Sequence, residues 1–242
     1  VPCDRGRHRQ GRHAQHLAVR RLIPPTARTR LARRKDRGSY DRATVHAILD
    51  EALYCHVGFS LEAQPYVIPT VHARVGEELY LHGSVASRML GALAPGTPLC
   101  VTVTLLDGLV LARSGFNHSM NYRSVVILGT AAEITDEVQK RAALDALVNR
   151  VLPGRAAEVR AANGRELNAT SVLRLPVAEA SAKIRSGPPH DDEEDYALGC
   201  WAGVLPLRLT ALAPEPDPRL PPGIAPPDSL VHWSRGEKAP GS

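Results

Sequence analysis

Six short segments rich in β-branched and other apolar residues follow one another at about 54–60, 65–74, 77–82, 98–106, 109–116 and 122–134. Gly, Pro or Asp separates them. Runs of this length and punctuation read as strands, and intervals this short favour antiparallel pairing. Two more strands are expected near 169–177 and 201–210. Seven or eight strands with few helices predict a mainly β fold, a β-barrel with peripheral helices, rather than a doubly wound sheet. The chain contains no GxGxxG turn, so a nicotinamide-binding domain of that kind is not expected.

Three segments show helical spacing. Gly38, Ser39 and Asp41 offer turn and capping groups before Val45, Ile48, Leu49 and Leu53. Ser84–Leu93 places Val85, Met89, Leu90 and Leu93 on one side before Pro95-Gly96 stops it. Over 136–151, Asp136 and Glu137 suit a positive helix end, Leu144, Leu147, Val148 and Val151 form a stripe, and Pro153-Gly154 ends it. The polar stretch Lys183–Asp195 reads as a loop. From Pro214 prolines crowd the chain, which predicts an extended tail over 213–242.

The net charge of +5 and basic pI invite a nucleic-acid reading, but the charge is unevenly placed. Residues 1–37 hold twelve Lys or Arg against two Asp, so the rest of the chain is net acidic. That basic stretch, which opens on Val1, has no period that would bury a face. Residues 1–36 are therefore expected to be a disordered tail, the globule to span 37–212, and nucleic acid not to be the partner. No apolar run is long enough to span a bilayer and no secretory apolar stretch opens the chain, so a cytoplasmic protein is expected. Cys3, Cys55, Cys100 and Cys200 form no CxxC pair and are expected to be buried free thiols.

The most informative stretch is Leu79-Tyr80-Leu81-His82-Gly83-Ser84-Val85-Ala86-Ser87-Arg88-Met89-Leu90, read as a strand running through a glycine into a helix. Such a turn can bind an anion: backbone N–H groups lie unpaired, Gly83 admits a ligand to the backbone, Ser84 and Ser87 add hydroxyls, and Arg88 can grip a phosphate bidentately. The alternative is that Ser84 is only a helix cap and Arg88 only a solvated cation.

Four motifs in order carry a resemblance: Gln64-Pro65-Tyr66-Val67-Ile68-Pro69-Thr70, then His82-Gly83-Ser84 with Ser87-Arg88, then His118-Ser119-Met120-Asn121-Tyr122-Arg123-Ser124-Val125-Val126, then Trp201-Ala202-Gly203-Val204-Leu205-Pro206-Leu207. Together they resemble the pyridoxamine 5'-phosphate oxidase-like FMN-binding split barrels, in the branch of the nitroimidazole-resistance-like proteins, over about residues 37–212. The resemblance implies FMN as cofactor and a homodimer that builds each flavin site from both subunits. It implies that Val67, Ile68, Pro69 and Thr70 lie beside the isoalloxazine, that His82, Gly83, Ser84, Ser87 and Arg88 hold the phosphate, and that Trp201 lies near the partner's flavin. Arg123 is a further cofactor candidate, with a rim ion pair as its alternative. Met89 stands where relatives often have a phosphate-binding lysine; Lys183 or Arg185 is the candidate substitute.

The function this implies is an FMN-dependent oxidoreductase passing electrons from a nicotinamide or deazaflavin donor to a small organic acceptor such as a nitroaromatic or quinone. A flavin-binding protein without turnover is one alternative. A haem-binding split barrel using His56, His72, His82 or His118 is another. No catalytic base is singled out, because a flavin carries the redox chemistry itself. No ligand spacing marks a metal site, and Asp191–Asp195 reads as a solvated turn.

Overall fold

The computed structural model describes residues 21–233. Asp41 starts α1 (Arg42–Glu51): its carboxylate accepts from the Thr44 N–H at 3.0 Å, and the helix buries Val45, Ile48 and Leu49. Eleven strands follow from or flank it among these residues: β1 (Gly38–Ser39), β2 (Cys55–Leu61), β3 (Gln64–Thr70), β4 (His72–Val75), β5 (Glu78–Ser84), β6 (Pro98–Leu111), β7 (Ser119–Thr130), β8 (Ala132–Glu133), β9 (Thr170–Pro176), β10 (Ala180–Arg185) and β11 (Gly203–Pro206). The remaining helices are α2 (Arg88–Leu93), α3 (Glu137–Val151), α4 (Arg155–Glu158), α5 (Gly164–Ala169) and α6 (Asp228–Val231).

All pairing is antiparallel, in two sheets. The larger runs β1-β10-β7-β6-β2-β3, with β11 added to β6; the smaller runs β4-β5-β9-β8. The sheets do not close into one ring, so the expected barrel is an open, split one. The segment expected as a single strand over 65–74 breaks at Val71, where the chain passes from the large sheet (β3) to the small one (β4). Conversely, the two strands expected over 98–116 are one strand, β6, bent by a bulge between Leu106 and Gly108. At that bend β11 crosses closely: a Cβ on Gly108 would lie 3.1 Å from the Leu205 carbonyl oxygen, so the glycine is needed for contact.

The sheets enclose the main core. Leu79, Leu81, Leu173 and Leu175 from the small sheet meet Val57, Val101, Val125 and Ile127 from the large one, with α1 and α2 covering the ends. The other face of the small sheet carries Tyr80 and Val172, covered by Ala143 and Leu144 of α3. Alternation along β5 thus sends odd residues to the core and even residues to α3.

Three expectations are corrected. Residues 21–36 are not a free tail: Ile23 is fully buried in the main core, its N–H donates to the Tyr40 carbonyl, and Thr26 and Arg28 both bond Glu179. The rest of the basic stretch, 1–20, lies outside the described residues. Lys183–Asp195 is not all loop, because Lys183–Arg185 completes β10, paired with Ser124–Tyr122 of β7. Beyond it, Asp191 is no solvated turn residue: Arg113 donates to its carboxylate through both backbone and guanidinium, and the side chain is fully covered. The proline-rich tail is irregular to Pro227, then α6 brings Leu230 and Trp233 against Val151 and Leu152 at the end of α3 around a cleft of about 350 Å³. Residues 234–242 lie outside the described range.

Candidate functional site

β3 is the end strand of the large sheet, and its two prolines explain why it can be. A proline has no N–H to give the ladder, so Pro65 and Pro69 turn their nitrogens to the open edge. Val67, two residues from each, shares that direction. Among Pro65, Val67 and Pro69 only Val67 has an N–H to offer a ligand, flanked by carbonyls. Its side chain is 68% exposed, whereas Tyr66 and Ile68 pack against the core.

Arg88, the first residue of α2, reaches this strand. Its guanidinium lies 5.5 Å from the Tyr66 ring centroid, and Tyr66 stacks on Phe59. Among the described residues Arg88 forms no ion pair, and it is exposed. Beside it, Ser84 Oγ accepts from the Ala86 N–H at 3.2 Å and Ser87 Oγ from the Leu90 N–H at 3.5 Å. Each hydroxyl proton remains available to an anion. The Arg88–Tyr66 contact brings the start of α2 to β3, with Ser87 the residue before Arg88.

Parts of the expected phosphate turn are built differently. α2 is only six residues long, begins at Arg88 and is capped by Ser87 rather than Ser84, so the strand does not run straight into the helix. Gly83 serves packing: a Cβ there would sit 3.1 Å from Leu90 Cδ1, so the glycine lets α2 close on β5. His82, an even residue of β5, points to α3, away from the face α2 covers. Burial pushes its pKa down, and its Nδ1 is buried without a hydrogen-bond partner.

Arg123 is drawn elsewhere. Glu51 at the end of α1 and Asp107 at the β6 bulge both clamp it, with Nε and Nη2 at 2.9 and 2.8 Å from Asp107 and Nη2 at 2.8 Å from Glu51. These contacts hold its pKa above the usual arginine range. It is the rim ion pair. Lys183 and Arg185 lie on β10, with β7, β6 and β2 between them and β3 in the large sheet. Arg185 is buried and bonds Asn121 and the Gly187 and Pro188 carbonyls, its pKa lowered by desolvation and by the charges of Arg37 and Arg34.

Trp201 is 68% exposed and folds its ring over Gly203, where a Cβ would be 2.9 Å from Cζ2. Of the cysteines, Cys55 is buried, Cys100 partly so, and Cys200 exposed rather than buried. His118 is exposed, with Nδ1 bonded to the Ser114 carbonyl oxygen at 2.9 Å. Among the described residues no cluster of three metal-ligating side chains occurs, and no helix is long and apolar enough to cross a membrane. Sequence reasoning missed Tyr66 as the platform under Arg88; its place within Gln64–Thr70 was the available signal.

The family model described as pyridoxamine 5'-phosphate oxidase matches residues 41–184, a range that holds both β3 and Arg88. The chain belongs to that family. Among solved structures, the flavocytochrome Anf3 from Azotobacter vinelandii is similar at 45% identity and a TM-score of 0.82, over 87% of this chain and 98% of that one. An FAD and haem binding protein from Mycobacterium smegmatis matches at 41% identity and 0.77, over 81% and 96%. A putative 5-nitroimidazole antibiotic resistance protein from Bacteroides thetaiotaomicron matches at 25% and 0.50, over 61% and 86%. No curated protein matches the chain. Membership of the pyridoxamine 5'-phosphate oxidase family makes this a flavin-binding fold, and the open two-sheet arrangement is its split barrel.

Proposed function

We propose that this chain holds its flavin between the open edge of β3 and Arg88, and acts as an oxidoreductase passing electrons from a nicotinamide or deazaflavin donor to a small organic acceptor. The observation that carries this is Arg88 itself. It is an exposed guanidinium with no carboxylate partner among the described residues, set over Tyr66 beside the strand edge where Val67 offers its N–H. A bidentate cation and two serine hydroxyls suit a phosphoryl group, and the strand edge suits the polar rim of an isoalloxazine.

When bound, the flavin supplies the hydride and electron chemistry. The chain's residues bind and orient it: Arg88 neutralises phosphoryl charge, Ser84 and Ser87 donate to its oxygens, and β3 fixes the ring's edge. FMN satisfies these groups; the FAD of the 41% identical relative favours the dinucleotide form equally.

A homodimer is part of this reading. Leu205, Leu207, Leu209 and Leu212 are exposed along the segment leaving β11, and Trp201, Met120 and Phe116 are exposed nearby in sequence or pairing. An apolar surface of this kind suits a second copy, which would place Trp201 beside the partner's cofactor.

A second reading adds a haem. It is favoured by the names of the two most identical relatives cited and by the unpartnered nitrogen of His82. Absorbance of the purified chain, with mass identification of what heat releases, tests the proposal. A flavin band and released FMN or FAD are expected; a colourless chain that takes up neither overturns it. Anaerobic bleaching by reduced nicotinamide or deazaflavin then separates an oxidoreductase from a flavin carrier.

A further inference from the structure

The α3 side of the small sheet holds a cavity that the flavin cradle does not use. Along β5, Tyr80 is covered by Leu144, but two residues on, at His82, the sheet surface is left open. A space of about 590 Å³ lies there among His82, Val71, Leu144, Leu147, Val148 and Val159. Its walls are mostly aliphatic, with Asp145, Arg160, Glu166 and Thr170 also lining it, and its size falls within the ordinary range for a bound organic ligand. Val71 directly follows Thr70, so the cavity starts where the flavin strand ends.

The polar groups in this wall are few and specific. His82 Nδ1 is buried without a hydrogen-bond partner, an arrangement that folded proteins rarely keep without use. Burial lowers the ring's pKa, so at neutral pH the imidazole is uncharged, the form that ligates a metal. The other histidines differ. His72 is sealed, with Nε2 donating to the Leu49 carbonyl oxygen at 3.0 Å; His118 is tied to Ser114; His56 sits edge-on to Tyr54. Of the four, His82 is the one that lines this cavity.

Arg160 stands at the mouth, 70% exposed, paired with Glu166. Glu166 has a second task, accepting from the Asn163 N–H in the capping box of α5, so it keeps a partner if Arg160 turns to another carboxylate.

We infer that the cavity between β5 and α3–α5 is a haem pocket, with His82 as the axial ligand and Arg160 pairing a propionate. This rests on the haem reading above. A flat, apolar macrocycle with two carboxylates matches mostly aliphatic walls, one free imidazole and one arginine at the opening.

The test is haemin titration of the purified, flavin-loaded full chain, followed by absorbance. Wild type is expected to show the shifted Soret band of His-ligated haem. His82→Ala is expected to lose that band and regain it on addition of free imidazole, while flavin absorbance, which depends on β3 and Arg88 and not on His82, stays and certifies the fold. Val148→Trp, which fills the cavity but leaves His82, is expected to block uptake. Haem bound by wild type and by His82→Ala with the same spectrum overturns the assignment of this pocket and leaves the haem reading standing. Failure of wild type to take up haem at all overturns that reading, and this inference with it.

Discussion

Arg88 lies over the face of Tyr66 at 5.5 Å from the ring centroid, and Tyr66 stacks on Phe59 with centroids 5.4 Å apart and planes 17° from parallel. The stack links the start of α2 to the hairpin of β2 and β3. A guanidinium held over a ring keeps its N–H fork free in the plane, which is what bidentate capture of an anion needs.

Replacing Arg88 with Ala is therefore expected to weaken flavin binding by about 1.5–3 kcal/mol, the size of a charge-assisted contact, and to leave stability almost unchanged because the side chain is exposed. Titration followed by flavin fluorescence gives the affinity and urea unfolding gives the stability. Arg88→Lys should fall between the two, since it keeps charge but loses the fork. Equal flavin retention in all three proteins would remove the phosphate grip from Arg88.

Arg123 should behave in the opposite way. It neutralises Glu51 and Asp107 together, and Arg123→Met leaves two partly buried carboxylates facing each other. A loss of about 1–3 kcal/mol in stability is expected, with flavin affinity intact. A drop in affinity at unchanged stability would instead place Arg123 in the cofactor site.

His72 makes the fold sensitive to acid. Its ring is fully buried; because the Leu49 carbonyl only accepts, Nε2 carries the proton and Nδ1 is left bare. Burial, the largest influence, pulls the pKa down to about 4. The unfolded chain therefore takes up this proton first as pH falls. Stability is full above the unfolded value near 6.5, declines between there and about 4, and changes no further below, a loss on the order of 3 kcal/mol. Urea midpoints from pH 7.5 to 4 are expected to fall in wild type and to flatten in His72→Phe; parallel curves would show that another group carries the acid sensitivity.

Helix ends were the most legible features, because their signals are local. Asp41 and Asp136 cap the helices they precede, each accepting a backbone N–H in the first turn. The route of the sheet was not legible in the same way. Nothing at Val71 announces that one extended run serves two sheets, since both halves have the same apolar character. The β2–β3 hairpin turns through Glu62 and Ala63 at φ of 51° and 63°, without the Asn or Gly that normally marks such a turn. In the site, Arg88 and β3 were readable as a motif, but the direction of His82 depends on which face of β5 meets the core. That is decided by Leu79 and Leu81 packing against the large sheet, a tertiary fact. Ile23 was hidden by company: one buried residue in a run of arginines has no period to reveal it.

Ile23 also supplies the last prediction. Its backbone N–H donates to the Tyr40 carbonyl at 2.8 Å, Leu22 bridges to Asp41, and its side chain is fully enclosed in the main core. The segment is thus part of the fold, fastened again by Thr26 and Arg28 on Glu179. Ile23→Ala removes three buried carbons from a site hemmed in by neighbours and is expected to cost about 2–5 kcal/mol. The urea midpoint should fall with an unchanged slope, because the unfolded chain exposes the same surface. Leu22→Ala, at an exposed position in the same strand-like bridge, is the control and should change little. If both variants unfold like wild type, the globule begins at Arg37 after all, and the basic stretch contributes nothing to the core.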